Sequence, residues 1–238
     1  MTLQAILLAF AIVSAGVAQP SPEFEAASIK PSPPGPNNTL TRFDPGGRFT
    51  ASGAPLKALM QLAYGVKDFQ ISGGPGWTES ERYDVLAKAA EGTNPSQEQL
   101  KLMIQALLVE RFHLKIHRET RDPTIYSLVV GKGGQKLQAS AGASVPGMSM
   151  GPGQLTGKKI TMKMLAGMLE QQLDRVVADN TGIQGDFDVK LEWAKDQTAD
   201  AGASIFTSIQ EQLGLRLESQ KGPVEVLVID SAEKASAN

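Results

Sequence analysis

Residues 155–169 read LTGKKITMKMLAGML, and residues 49–63 read FTASGAPLKALMQLA. At an offset of 106 residues, Thr156 falls on Thr50, Met162 on Leu56, Lys163 on Lys57 and Leu165 on Leu59. Each stretch opens with alternation and passes into an apolar stripe at helical spacing, the pattern of a strand leading into a helix. Two further blocks recur in the same order. FDVKLEW from Phe187 parallels YDVLAKA from Tyr83, and LRLESQKGPVEVLVID from Leu215 parallels LKIHRETRDPTIYSLVV from Leu114. Three colinear blocks, with the offset drifting only from 106 to about 100, point to an internal duplication.

RFTASG reads as a strand, and Leu56, Leu59, Met60, Ala63 and Tyr64 lie on one helical stripe. FQISG and YDVLAKA are strand-like. Ser96 with Gln99 forms a capping box ahead of Leu100, Met103, Ile104, Leu107 and Leu108. The strands FHLKIHRET and IYSLVVG follow. The expected fold is therefore α+β: two tandem βαββαββ repeats over 45–138 and 153–233, each a small mixed sheet covered by two short helices. Residues 139–152 are rich in Gly, Ala, Ser and Pro and read as a linker. Each repeat is close to the size at which a core is only marginally sufficient, so the two are expected to pack together. Residues 19–44 form an N-terminal arm. Its segment FEAASIK is expected to add an edge strand, and PSPPGPNN interrupts regular structure after it. Residues 234–238 are a tail.

Residues 1–18, MTLQAILLAFAIVSAGVA, hold no charge and end in small residues, with Gly16 and Ala18 at the -3 and -1 positions of a cleavage site. That is the pattern of a signal peptide, although no Lys or Arg precedes the apolar run. The expectation is export to the periplasm or the outside, with a mature chain beginning near Gln19 and no integral membrane segment once the signal is removed. The chain has no cysteine, so neither disulfides nor thiolates contribute. Its net charge is -2 with acids and bases mixed, and no basic stripe of the kind nucleic-acid binding uses is present.

Candidate chemistry is sparse. Both histidines, His113 and His117, lie in ERFHLKIHRET. In a strand starting at Phe112, the residues Phe112, Leu114 and Ile116 face one way, and His113, Lys115, His117 and Glu119 the other. The histidines would then stand about 13 Å apart, too far to share one metal ion. GMSMG, residues 147–151, fits the G-x-S-x-G pattern of hydrolase nucleophiles, which makes Ser149 with His113 or His117 the available serine-hydrolase combination. That chemistry requires the serine on a sharp strand-to-helix turn. GKGGQK, residues 131–136, lacks the ending of a phosphate loop and reads as a hairpin turn. DNTGIQGDFD lacks the spacing and the closing glutamate of a calcium loop. Trp77, after SGGPG, and Tyr64 are the candidate ligand-contacting aromatics. No cofactor and no metal is expected.

The segments carrying a Leu-x-x-Leu helix, RVVADNTGIQG, SIFTSIQEQLGLRL and a closing VEVLVID resemble the secretin and TonB short N-terminal domain. That resemblance implies a docking or signalling module of the periplasm. At whole-chain level, FEAASIKPS, GGRFTASGAPLKALMQLAYGVKDFQISGGPGW, LLVERFHLKIHRET, TGIQGDFDVKLEW and LGLRLESQKGPVEVLVID resemble a family of secreted proteins of unknown function from soil Acidobacteria. This second resemblance implies an exported protein of two related halves and carries no catalytic residue. The expected function is a non-catalytic module that docks an envelope protein or a peptide on an exposed strand edge such as VEVLVID or YSLVV. The alternative is a small extracytoplasmic serine hydrolase, esterase-like, using Ser149.

Overall fold

The computed structural model describes residues 22–33, 38–141, 147–194 and 203–235. The expected signal peptide and the core of the proline-rich arm lie outside them. In chain order come β1 (Ala26–Pro31), β2 (Leu40–Asp44), β3 (Arg48–Pro55), α1 (Leu56–Tyr64), β4 (Ile71–Gly73), α2 (Trp77–Ser80) and β5 (Arg82–Lys88). Next are α3 (Gln97–Phe112), β6 (Lys115–Arg121), β7 (Thr124–Val130) and β8 (Gln138–Ala139). Then follow β9 (Gly147–Gly151), β10 (Gln154–Ile160), α4 (Met162–Leu173) and β11 (Val177–Asp179). Last are β12 (Phe187–Glu192), α5 (Ile205–Leu213), β13 (Leu215–Lys221) and β14 (Val224–Ser231). The fold is mixed α+β with several small sheets. The described residues divide into two compact units: one drawn from 1–54, 82–112 and 234–238, the other from 55–81 and 113–233.

The first unit holds a four-stranded sheet in the order β1-β5-β3-β2. FEAASIK supplies β1 and takes the edge position expected of it, antiparallel to β5. Period-two burial explains the strands: Tyr83, Val85 and Ala87 of β5 are buried while Leu86 and Lys88 are exposed. Helix α3 begins with the expected capping box. Gln99 N–H donates to Ser96 Oγ at 3.2 Å, and Ser96 N–H to Gln99 Oε1 at 2.8 Å. Its buried residues, Leu100, Met103, Ile104, Leu107, Leu108 and Phe112, recur at three- and four-residue spacing. The Phe112 ring meets Tyr83 edge-on at 5.0 Å.

The second unit holds a four-stranded sheet, β8-β12-β10-β9, and two three-stranded sheets, β11-β7-β13 and β4-β14-β6. Residues 147–151, read from sequence as linker, form the edge strand β9. One core gathers Leu155, Ile160, Leu165, Leu169, Leu191 and Leu213 with Leu128 of β7.

The three-stranded sheets depart from the expectation that each repeat builds its own sheet. β7, which precedes the linker, lies between β11 and β13, which follow it; β14 likewise lies between β4 and β6. The short links Asp122–Pro123 and Gly222–Pro223 invite hairpins, but β6 pairs with β14 and β7 with β13. Lys221 stands opposite Thr124 and Val224 opposite Arg121, so one antiparallel register crosses from one ladder to the other and shifts only beyond Ile229. At the crossing, Gly222 N–H donates to Pro123 O at 3.3 Å. Each proline fixes φ and offers no N–H, which favours running past over folding back. YSLVV and VEVLVID, expected as open edges, are central strands with neighbours on both sides. GKGGQK makes its turn, Gly134 N–H to Gly131 O at 3.0 Å, but does not join two paired strands.

Candidate functional site

The histidine segment differs from its strand reading at one end. Helix α3 runs through Phe112, because Leu108 and Phe112 continue the buried stripe at four-residue spacing. His113 then takes a left-handed conformation at φ 45°, and β6 starts only at Lys115. Each ring meets a carboxylate: His113 Nδ1 lies 3.0 Å from Glu233, and His117 Nδ1 2.8 Å from Asp230. Both side chains are more than half exposed. No group of three metal-ligating side chains occurs among the described residues.

Ser149 sits within β9, opposite Thr156 of β10, and is exposed. The sharp strand-to-helix turn that its hydrolase role requires is therefore replaced by an edge strand. Trp77 opens the four-residue helix α2 and is partly buried. Tyr64 closes α1, where burial pushes its hydroxyl pKa up against the opposing charge of Arg118.

The most organised polar geometry was missed by sequence reasoning, and it occurs twice. On β5, Asp84 accepts hydrogen bonds from Ser32 Oγ at 2.6 Å, Gly53 N–H at 2.9 Å and Ser52 Oγ at 3.2 Å. On β12, Asp188 accepts from Ser140 Oγ and from Lys159 N–H, the latter at 3.0 Å. Gly53 has φ 62° and Lys159 φ 54°, so each carboxylate holds the N–H of a left-handed residue in the neighbouring strand. Around Lys159 the β10–β12 register shifts, as a bulge requires. Those hydrogen bonds favour the charged form, so both carboxyls titrate below the ordinary aspartate range, the serine hydroxyl being the foremost cause in each. The signal was present in sequence: Asp84 and Asp188 occupy the same place in YDV and FDV. A cleft of about 470 Å³ lies beside Asp188, between Lys136, Thr156, Lys158 and Gln212. Its carboxylate is already committed to Ser140 and Lys159, which leaves no carboxylate pair for general acid/base work there.

A second cleft, of about 420 Å³, lies at the crossing of the long strands. Phe69, Ile125, Val176, Val224 and Val226 supply its apolar wall, and Arg121, Asp174 and Arg175 its charges. Arg121 is held by Glu119 at 2.7 Å. Arg175 lies over the Tyr126 ring, 5.0 Å from its centroid, and Phe206 meets the same ring edge-on at 5.4 Å.

These features define a mixed α+β protein whose most ordered polar groups tie strands together. The chain belongs to the DUF3738 family of proteins of unknown function, whose family model matches residues 57–232. Comparison with curated proteins and with solved structures gave no match. No helix among the described residues is long and apolar enough to cross a membrane.

Proposed function

We propose that this chain is an exported module that binds an extended protein or peptide segment without catalysis, built from two copies of one βαββαββ unit. The observation that carries the binding reading is β9. Among the described residues it pairs with β10 alone, stands last in its sheet, and contains neither a charge nor a proline. Edge strands ordinarily carry such residues to discourage an added strand. β2, last in the sheet of the first unit, has Arg42 and Asp44 ion-paired at 2.9 Å. β9 has no such guard. An incoming strand would use its open main-chain groups and meet Met148, which is 56% exposed.

Two copies are supported by the element order from β3 to β7 and from β10 to β14, which agrees apart from the one-turn helices of the first run, and by the recurring aspartate tie. Export is supported by the uncharged apolar run and small residues of positions 1–18. The resemblance of the halves to the secretin and TonB short N-terminal domain, and of the whole to secreted acidobacterial proteins, favours an envelope partner.

A displayed library of extended peptides should yield binders whose affinity is lost on N-methylating alternate peptide bonds. The Met148→Lys, Ser149→Lys double variant should lose them with its unfolding midpoint unchanged. Binding indifferent to both changes would overturn the edge reading. Hydrolysis of model esters that disappears in Ser149→Ala would instead favour the serine hydrolase, with His113 or His117 as base.

A further inference from the structure

The cleft at the strand crossing differs from β9 in position and chemistry. Phe69, Ile125, Val176, Val224 and Val226 can cover an apolar body, and its volume of about 420 Å³ is within the range of small-molecule sites. The charges at its mouth are not equivalent. Arg121 is spent on Glu119, through Nε at 3.1 Å and Nη2 at 2.7 Å. Among the described residues Arg175 makes no hydrogen bond and no ion pair; its contact is the Tyr126 ring. A cation–ring contact uses none of the guanidinium N–H groups as hydrogen-bond donors to oxygen, and those groups can grip a carboxylate with two parallel hydrogen bonds.

The repeat sharpens the contrast. At the offset of 106, Asp68, Phe69 and Gln70 correspond to Asp174, Arg175 and Val176. In the first copy these positions are tied down. Asp68 accepts from Lys57 at 3.2 Å and Gln61 at 2.9 Å, and Gln70 Nε2 donates to Glu225 O at 3.1 Å. In the second copy Gln61 is replaced by Gly167, Gln70 by Val176, and an aromatic ring by the Arg175 cation. Structural bonds have given way to an uncommitted cation beside an apolar wall. Asp174, exposed at the rim, makes no ion pair with Arg175.

We infer that this cleft binds a small carboxylate with an apolar body, the carboxylate on Arg175 and the body against Phe69, Ile125 and Val224. A free acid and the C-terminus of an apolar peptide share that chemistry. Octanoate, below its micellar range, and an acetylated Val-Leu dipeptide with a free C-terminus would be titrated by calorimetry and amide-resolved NMR. Shifts are expected at residues 124–126, 175–176 and 224–226. Octan-1-ol and the C-terminally amidated dipeptide should bind about ten- to hundredfold more weakly, as should the acids with Arg175→Gln. Arg175→Lys, which keeps the charge and loses the fork, should fall between. Octanoate binding without the dipeptide assigns a free acid, and the converse a chain terminus. No saturable binding of either acid, equal binding of the uncharged analogues, or an unchanged affinity in a folded Arg175→Gln variant would overturn the inference.

Discussion

The carboxylate of Asp188 accepts the main-chain N–H of Lys159 at 3.0 Å, although Lys159 is a non-glycine residue at φ 54°. Asp84 does the same for Gly53, where glycine carries the left-handed angle without a Cβ penalty. Left-handed backbone costs an L-residue about 1–2 kcal/mol, and glycine's extra chain entropy returns about 0.5–1 of it. Lys159→Gly is therefore expected to leave stability unchanged or to raise it by up to about 1 kcal/mol. Gly53→Ala should lower it by about 1–2 kcal/mol from the backbone angle alone. The added Cβ would also lie 2.7 Å from Asn38 O. Urea unfolding of the two variants checks the contrast; a destabilised Lys159→Gly or an undiminished Gly53→Ala would contradict it.

The two aspartates also set an acid limb. Their pKa values in the folded chain lie below the ordinary aspartate range, so the unfolded chain binds the protons more tightly. The stabilisation is full above the unfolded pKa and disappears as pH falls through the folded one. Melting temperature should therefore fall from roughly pH 5 downward. In an Asp84→Asn, Asp188→Asn double variant the fall should be shallower, from a lower plateau at neutral pH. Parallel curves would mean that these carboxyls do not govern the limb.

Phe112 is fully buried at the last position of α3, and its ring meets Tyr83 at 5.0 Å. Truncation to Ala removes that contact and leaves a cavity at the helix end, costing about 3–5 kcal/mol. Phe112→Leu should cost less, because it keeps most of the apolar volume. Denaturant midpoints of both variants test whether this residue is core, as here, or one member of an alternating strand.

Much of the element order was legible because period two and period 3.6 are written in side chains. Partner choice was not. Alternation tells which face of LKIHRET is wet, but not that its strand seeks β14 instead of β7. One available signal points the right way: Leu128 and Val129 in β7, and Leu227 and Val228 in β14, break alternation with consecutive apolar residues. Strands covered on both faces read like that, and both are central. The end of α3 was hidden because Phe112 satisfies the helical stripe and the following alternation at once. Of the sites, His113, His117, Ser149, Trp77 and Tyr64 drew attention by residue type. The aspartate tie and Arg175 emerge only when the two copies are compared position by position, since each is a departure from, or an echo of, its partner.

The strand exchange makes the two sequence halves interdependent. β7 receives both of its neighbours, β11 and β13, from beyond the linker, and β14 receives β4 and β6 from before it. A fragment ending at residue 141 would leave both edges of β7 open and expose Ile125 and Leu128, which are buried in the whole chain. A fragment starting at residue 147 would strand Val226, Leu227 and Ile229 in the same way. Burial of such side chains is worth about 1.5–3 kcal/mol each, comparable to the margin of a small domain. The fragment starting at residue 147 is expected to lack a cooperative thermal transition. Mixing the two should restore one, with a midpoint that rises with concentration because assembly is now bimolecular. The intact chain should show a midpoint independent of concentration. If the fragment starting at residue 147 melts cooperatively by itself, the second half can satisfy its own strands, and the exchange is not what holds them together.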